Sequence, residues 1–356
     1  MKIMMVIPKL ILAGAETMCE NLSTALSEMG HDVTVVSLFT YESAISRRLA
    51  ERGIRVCFLD KKMGYDPTIR RKLRELMEAE RPDVVHTHLY VTKYAIPAAK
   101  SLRIPVVHTM HNIASEENQT RGGVFLNRFY FRSKLVRLAA LSERIRDTIV
   151  QTYHKKPEDI AVIGNGIPLG RFAPKKVYRD GDALNILNIG RFTDQKNQLG
   201  LIRAMILVHK THPQATLTVV GEGELEGELK AAIASADAGS YIRLAPVTDD
   251  PYPFYNAADI FALPSVYEGM PMTLAEAMAC GLPILTTPVG GIPDMLVDEI
   301  SAVFTETSPE SIARGLNRLL DDKTLREYIG KNALLEAPSL SAENMAAGYL
   351  RVYTRR

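Results

Sequence analysis

Short, wholly apolar runs alternate along this chain with longer stretches whose apolar residues recur every three to four positions. Residues 1–7, 32–38, 55–59, 84–86 and 105–109 read as strands, and residues 16–29, 44–52, 68–80 and 93–101 as helices between them. Short strands apolar on both faces, each followed by a helix, predict a parallel sheet covered on both sides, which is the doubly wound α/β pattern. The pattern restarts near residue 184, with strands over 184–189, 215–220, 241–244, 260–263 and 284–287 and helices over 198–211, 225–236, 253–258 and 274–279. Between the halves, residues 168–182 hold Pro, Gly and charge with little periodicity, as a linker does. Two Rossmann-like domains are therefore expected, over 1–170 and 171–339, and a last helix over 342–353 follows Pro338. Periodicity alone does not say which domain that helix joins.

A length of 356 residues agrees with two domains, since single cores rarely grow so large. The net charge of +2 hides an asymmetry: residues 1–171 carry 26 Lys/Arg against 18 Asp/Glu, and residues 172–356 carry 17 against 23. A basic half suits an anionic partner or surface, or is simply a solvated face; no nucleic-acid-binding motif accompanies it. Cys19, Cys57 and Cys280 are isolated and without ligand spacing, as expected of reduced thiols in a cytoplasmic protein. Pro8 and Lys9 interrupt the first apolar stretch, so it reads as a buried strand rather than a signal peptide. No apolar run approaches the roughly 20 residues of a membrane span.

Four places carry candidate chemistry. Leu12-Ala13-Gly14-Ala15 stands between the first strand and helix, where small residues let an anion approach backbone amides; a tight turn with no ligand is the alternative. Gly190-Arg191 follows a strand, with Lys196 five residues on. A guanidinium fork and an ammonium at the carboxyl end of a strand can neutralise a diphosphate, although a solvated basic turn has the same residues. Glu268 lies in a Gly/Pro loop and Glu276 one turn into the next helix, with the amides of Met272, Thr273 and Leu274 at that helix's start. Glu276 sits in the apolar run Leu274-Ala275-Glu276-Ala277-Met278, so it needs partners. His86 and His88 share one face of a strand, and His108 and His111 follow the next. A zinc site would need convergent ligands of the right spacing, which are missing, so these histidines read as parts of a cleft wall.

Taken together these motifs resemble glycosyltransferase family 4, retaining enzymes of the GT-B fold, over almost the whole chain. Glu268 and Glu276, with Ala-Glu-Ala-Met-Ala-Cys-Gly around the second, match the family's Glu-x7-Glu element. Gly190-Arg191 with Lys196-Asn197 matches its diphosphate motif, and Leu12-Ala13-Gly14-Ala15-Glu16 its first loop, with Ala13 in place of a glycine. Gly221-Glu222-Gly223 resembles the loop beside the nucleotide base, and Asn165-Gly166-Ile167 the entry to the linker. The resemblance implies two domains facing across a cleft, the first for acceptor and the second for donor, with the last helix (340–356) crossing back to the first. It implies Arg191 and Lys196 on the donor diphosphate, Glu276 on the ribose, and Glu268 and His111 on the donor sugar.

The expected reaction moves a sugar from a nucleoside-diphosphate sugar, UDP by default, to an acceptor hydroxyl with retained configuration. No metal or other cofactor is expected, because the Arg/Lys pair supplies the leaving-group charge. Two basic stretches, Lys61-Lys62 with Arg70-Arg71-Lys72-Arg74, and Arg121, Arg128, Phe129, Tyr130, Phe131, Arg132, Lys134 and Arg137, suggest peripheral contact with anionic membrane and a lipid-linked or saccharide acceptor in envelope polysaccharide or glycolipid synthesis. A nucleotide-sugar epimerase of the same fold and a non-catalytic sugar-nucleotide sensor are the competing readings.

Overall fold

Strand order decides where a doubly wound sheet can hold a ligand. In this computed structural model, residues 1–114, 121–181 and 183–355 are described. They form two units, Met1–Ile167 with the segment from Ser341, and Pro168–Leu340. The first unit contains β1 (Lys2–Ile7), α1 (Gly14–Glu28), β2 (Asp32–Ser37), α2 (Ala44–Glu51), β3 (Arg55–Phe58), α3 (Thr68–Glu80), β4 (Val84–His88), α4 (Thr92–Ser101), β5 (Val106–Met110), α5 (Arg121–Tyr130), β6 (Val136–Ala140), α6 (Glu143–Tyr153) and β7 (Ile160–Val162). Its sheet runs β3-β2-β1-β4-β5-β6-β7, with every pair parallel. The order reverses between β1 and β4, so the loops after these two strands diverge to opposite faces and leave a crevice.

The second unit repeats the plan with β8 (Asn185–Ile189), α7 (Gln198–Val208), β9 (Thr216–Val220), α8 (Glu226–Ser235), β10 (Ile242–Ala245), α9 (Tyr252–Ala257), β11 (Ile260–Leu263), α10 (Met272–Ala279), β12 (Ile284–Thr286), β13 (Val303–Phe304), α11 (Pro309–Asp321) and α12 (Lys323–Glu336). Its order, β10-β9-β8-β11-β12-β13, reverses between β8 and β11. The central strands are buried along nearly their whole length because helices cover both faces. Adjacent residues of one strand point to opposite faces, and Ile186 and Leu187 of β8 are both fully buried, as are Phe261 and Leu285.

The last helix, α13 (Ala342–Thr354), packs on α1 in the first unit. The Ala342 amide donates to the Ile167 carbonyl at 2.9 Å, and Asn21 donates to the Gly166 carbonyl at 2.9 Å, so Asn165-Gly166-Ile167 ties α1 to the start of α13.

Three sequence expectations change. The strand expected over 84–86 runs on to His88. Residues 136–162 and 303–336, for which no elements are expected, hold β6, α6, β7, β13, α11 and α12. The basic aromatic stretch is not one surface: it divides into α5 and β6, Phe131 is fully buried, and Arg137 donates to the carbonyls of Val352 and Tyr353. Arg121 lies on α5, but its side chain is outside the description. In the other basic stretch, buried Lys61 donates to the Lys62 carbonyl and Lys72 to that of Leu59, so those two cations serve turns of their own chain. No helix among the described residues is long and apolar enough to cross a membrane.

Candidate active site

In the second unit the two loops at the strand-order switch are stitched together. The Val266 amide donates to the Gln195 carbonyl at 2.8 Å, and Gln195 Nε2 to the Tyr267 carbonyl at 3.0 Å. Asn197, at φ +53°, donates from Nδ2 to the carbonyls of Pro264 and Thr307. Gln198 reaches back to the Arg191 carbonyl at 2.9 Å. These bonds bring Lys196 to Glu268: Nζ lies 2.6 Å from Oε1, and the Ser265 hydroxyl donates to the same oxygen at 2.6 Å. Glu268 is only 8 % exposed. An ionised carboxylate so buried requires such partners. Arg191 is exposed, and its guanidinium has no partner among the described residues. One cation of the pair is thus already matched, and the other is available to an anion.

The loop after β9 packs directly on this one. Gly190 donates to the Val220 carbonyl at 3.0 Å and Phe192 to the Glu222 carbonyl at 2.8 Å. A Cβ on Gly221 would stand 2.1 Å from the Gly190 carbonyl oxygen, which explains the glycine. The loop after β12 does the same for Glu268. Gly290 has φ +60°, a Cβ there would fall 1.7 Å from the Glu268 carbonyl oxygen, and the Gly291 amide donates to the Gly269 carbonyl at 2.7 Å.

Helix α10 opens at this loop after Pro271, which gives it no side-chain cap. The amides of Met272 and Thr273 occupy positions that have no partner inside a helix, where the dipole favours an anion. The Thr273 hydroxyl is buried and unpartnered among the described residues, as is that of Thr193. One turn on, Glu276 receives a hydrogen bond from the Tyr255 hydroxyl at 2.7 Å. Burial pushes its carboxyl up to about 7, against the pull of Tyr255 and Arg171.

In the first unit three histidines form a chain, His86 and His88 buried and His111 half-buried. His86 lies 2.6 Å from the Tyr353 hydroxyl through Nδ1 and 2.7 Å from Thr109 through Nε2, and Thr109 meets the Tyr349 hydroxyl at 2.8 Å. The His86 and His88 rings sit 4.3 Å apart, and His88 Nδ1 lies 3.0 Å from His111 Nε2. Burial, then the neighbouring imidazoles, holds both His86 and His88 well below the ordinary histidine range, so they are neutral. Across the β1–β4 switch, α1 begins at exposed Gly14 with no side-chain cap, leaving its first amides open.

Two family models match in tandem: "Glycosyltransferase Family 4" over residues 12–171 and "Glycosyl transferases group 1" over residues 171–335. The chain is a family 4 glycosyltransferase. A glycosyltransferase of Methanocaldococcus jannaschii, itself uncharacterized, is 27% identical over 99% of this chain and 98% of its own. The UDP-Gal:alpha-D-GlcNAc-diphosphoundecaprenol alpha-1,3-galactosyltransferase of Escherichia coli is 29% identical over 71% of this chain and 70% of its own. Among solved structures, HepE of Anabaena in complex with UDP and glucose superposes with a TM-score of 0.86 over 99% of both chains at 18% identity, which establishes the GT-B fold.

Within this glycosyltransferase the structure brings Arg191, Lys196, Gly221, Glu222, Glu268, Met272, Thr273 and Glu276 to one edge of the second sheet, at the ends of β8, β9 and β11. Two details differ from expectation. The Leu274 amide donates to the Pro271 carbonyl at 3.2 Å, so it does not face an anion. His108 lies within β5 rather than after it, and meets Thr87 and Phe131 on the sheet's other face. Sequence reasoning misses Ser265, Gly290 and Tyr255. Gly290-Gly291, a few residues after a strand, is the one readable sign, since paired glycines mark a turn that other residues adopt poorly.

Proposed function

We propose that this glycosyltransferase moves a sugar from a UDP-sugar to an acceptor hydroxyl with retention of the anomeric configuration. The observation that carries the reading is the switch-point cluster of the second unit: exposed Arg191, the Lys196–Glu268 pair, and the open α10 N-terminus one turn from Glu276. Arg191 and Lys196 bind the diphosphate and neutralise the charge that grows on it as the glycosidic bond breaks. Glu276 accepts hydrogen bonds from the ribose, and Glu268 holds the transferred sugar. The reading requires no metal. UDP is favoured because it is in the HepE complex and in the name of the Escherichia coli relative's donor.

The test is thermal unfolding with UDP, GDP and ADP, in EDTA, for the wild type and for Arg191→Ala and Glu276→Ala. A ligand that binds only the folded chain raises stability by mass action, about 2.7 kcal/mol at a hundred times its Kd. UDP should raise the wild-type midpoint and leave both variants unmoved. A folded wild type unmoved by every nucleotide would sink the donor-site assignment.

The acceptor is proposed to be lipid-linked, in envelope polysaccharide or glycolipid synthesis, with the first unit resting peripherally on the cytoplasmic membrane face. Met63 is 87 % exposed, Phe125 77 % and Phe129 61 %, and Lys100 lies 5.8 Å from the Phe129 ring centre. Exposed apolar tips among cations suit an anionic interface. In a flotation assay the chain should rise with phosphatidylglycerol vesicles and not with phosphatidylcholine alone, and Phe125→Ser with Phe129→Ser should abolish it. Failure to float with the anionic vesicles removes the membrane proposal and leaves the donor reading intact.

A further inference from the structure

Glu276 is not oriented by its own helix. Among the described residues, the one hydrogen bond to its carboxylate comes from Tyr255, on α9. That tyrosine is fully buried, and its ring is wedged edge-on against Phe172, 6.0 Å away, and beside Phe261, 5.7 Å away. Phe172 belongs to the segment that enters the second unit. Its neighbour Arg171 pairs with Asp250 at 3.1 Å, and the Asp250 carboxylate accepts the Tyr252 amide at 3.3 Å, so the same segment pins the start of α9.

The Tyr255 hydroxyl has one proton and two acceptors, Glu276 Oε2 at 2.7 Å and the Thr273 carbonyl at 3.0 Å. A charged acceptor makes the stronger bond, so ionised Glu276 takes the proton. We propose that Tyr255 is a positioning residue for the donor site: its hydroxyl fixes the orientation in which the Glu276 carboxylate meets the ribose hydroxyls of the nucleotide. This rests on the assignment of Glu276 to the ribose. The other titratable or charged groups acting on Glu276 are Arg171, from the entry segment, and Cys280, at the end of its own helix.

The pH dependence has a definite sign. Glu276 accepts more strongly from ribose when ionised, and its carboxyl has been pushed up to about 7, so ribose recognition strengthens as pH rises through that value. Removing the Tyr255 hydroxyl takes away a bond to the charged form and moves this midpoint higher.

The experiment is calorimetric titration of UDP and 2′-deoxy-UDP from pH 6 to 8.5 into the wild type, Tyr255→Phe and Glu276→Gln. The ratio of the two affinities isolates the ribose contact from titration of the phosphates. The wild type should prefer UDP by about tenfold above pH 7, roughly one charge-assisted hydrogen bond. Tyr255→Phe should lose most of that preference at pH 7 and recover part of it at higher pH. Tyr255→Phe with the wild-type preference and midpoint would overturn the proposal. Should Glu276→Gln keep the preference, the ribose assignment itself fails; should Glu276→Gln lose it while Tyr255→Phe keeps it, only the positioning role fails. If Tyr255→Phe does not fold, Phe172→Leu loosens the ring and keeps the hydroxyl: a partial loss of preference supports the proposal, and none overturns it.

Discussion

Replacing Lys196 with alanine is expected to lower transferase activity by about a hundred- to a thousandfold, the usual effect of removing one preorganised charge from a developing anion. It should also destabilise the protein, which Arg191→Ala should not. The difference lies in their surroundings. Lys196 Nζ is 2.6 Å from Glu268, whose side chain is 5 % exposed, whereas Arg191 is exposed and its guanidinium has no partner among the described residues. Without Lys196, the Glu268 carboxylate keeps the Ser265 hydroxyl but no cation. Leaving a buried charge uncompensated costs about 3 kcal/mol. Adding Glu268→Gln removes the stranded charge, so the double variant should regain stability without regaining activity. Urea denaturation and initial rates on all three variants make the comparison. If Lys196→Ala retains activity within tenfold of the wild type, the diphosphate assignment is wrong.

Gly290→Ala should be as damaging from outside the donor cluster. At φ +60° an alanine costs about 1–2 kcal/mol by conformation alone. Its Cβ would also fall 1.7 Å from the Glu268 carbonyl oxygen, so one of the two loops must move. The Glu268 loop is the one held by Gln195 and Asn197 to the diphosphate loop, so its movement separates Glu268 from Lys196. The expected result is an activity loss of about a hundredfold or more and a lower unfolding midpoint. Gly227→Ala, with open space around its Cβ in α8, is the control and should lower neither. A fully active Gly290→Ala would mean that Glu268 need not be held where the structure has it.

Periodicity locates β1 to β5 and β8 to β12 because buried parallel strands are continuous apolar runs, which no neighbouring feature disguises. It misses β6, where Arg137 interrupts the run. That arginine is tolerable there because its guanidinium reaches the carbonyls at the end of α13, a partner 215 residues away in sequence. α11, by contrast, is legible in the sequence: Ile312, Leu316, Leu319 and Leu320 recur at helical spacing and are buried, after a Ser308 cap and with Pro309 in the first turn. The candidate residues are legible where type and position coincide: a cation after a strand, a carboxylate one turn into a helix. How they combine is not.

By itself, then, the sequence determined the two α/β halves, the strand ends that carry chemistry, and the residue types there, because each follows from local hydrophobic period and from turn chemistry. Only the tertiary structure decided that Lys196 is matched to Glu268, that Tyr255 holds Glu276, that Gly290 shapes the Glu268 loop, and that His86 is locked to α13. Each of these joins residues at least 21 positions apart, through a strand order that reverses at β8 and β11 and at β1 and β4. Local propensity does not register such pairings, since the energy of a buried hydrogen bond or ion pair exists only once the sheet has brought the two partners together.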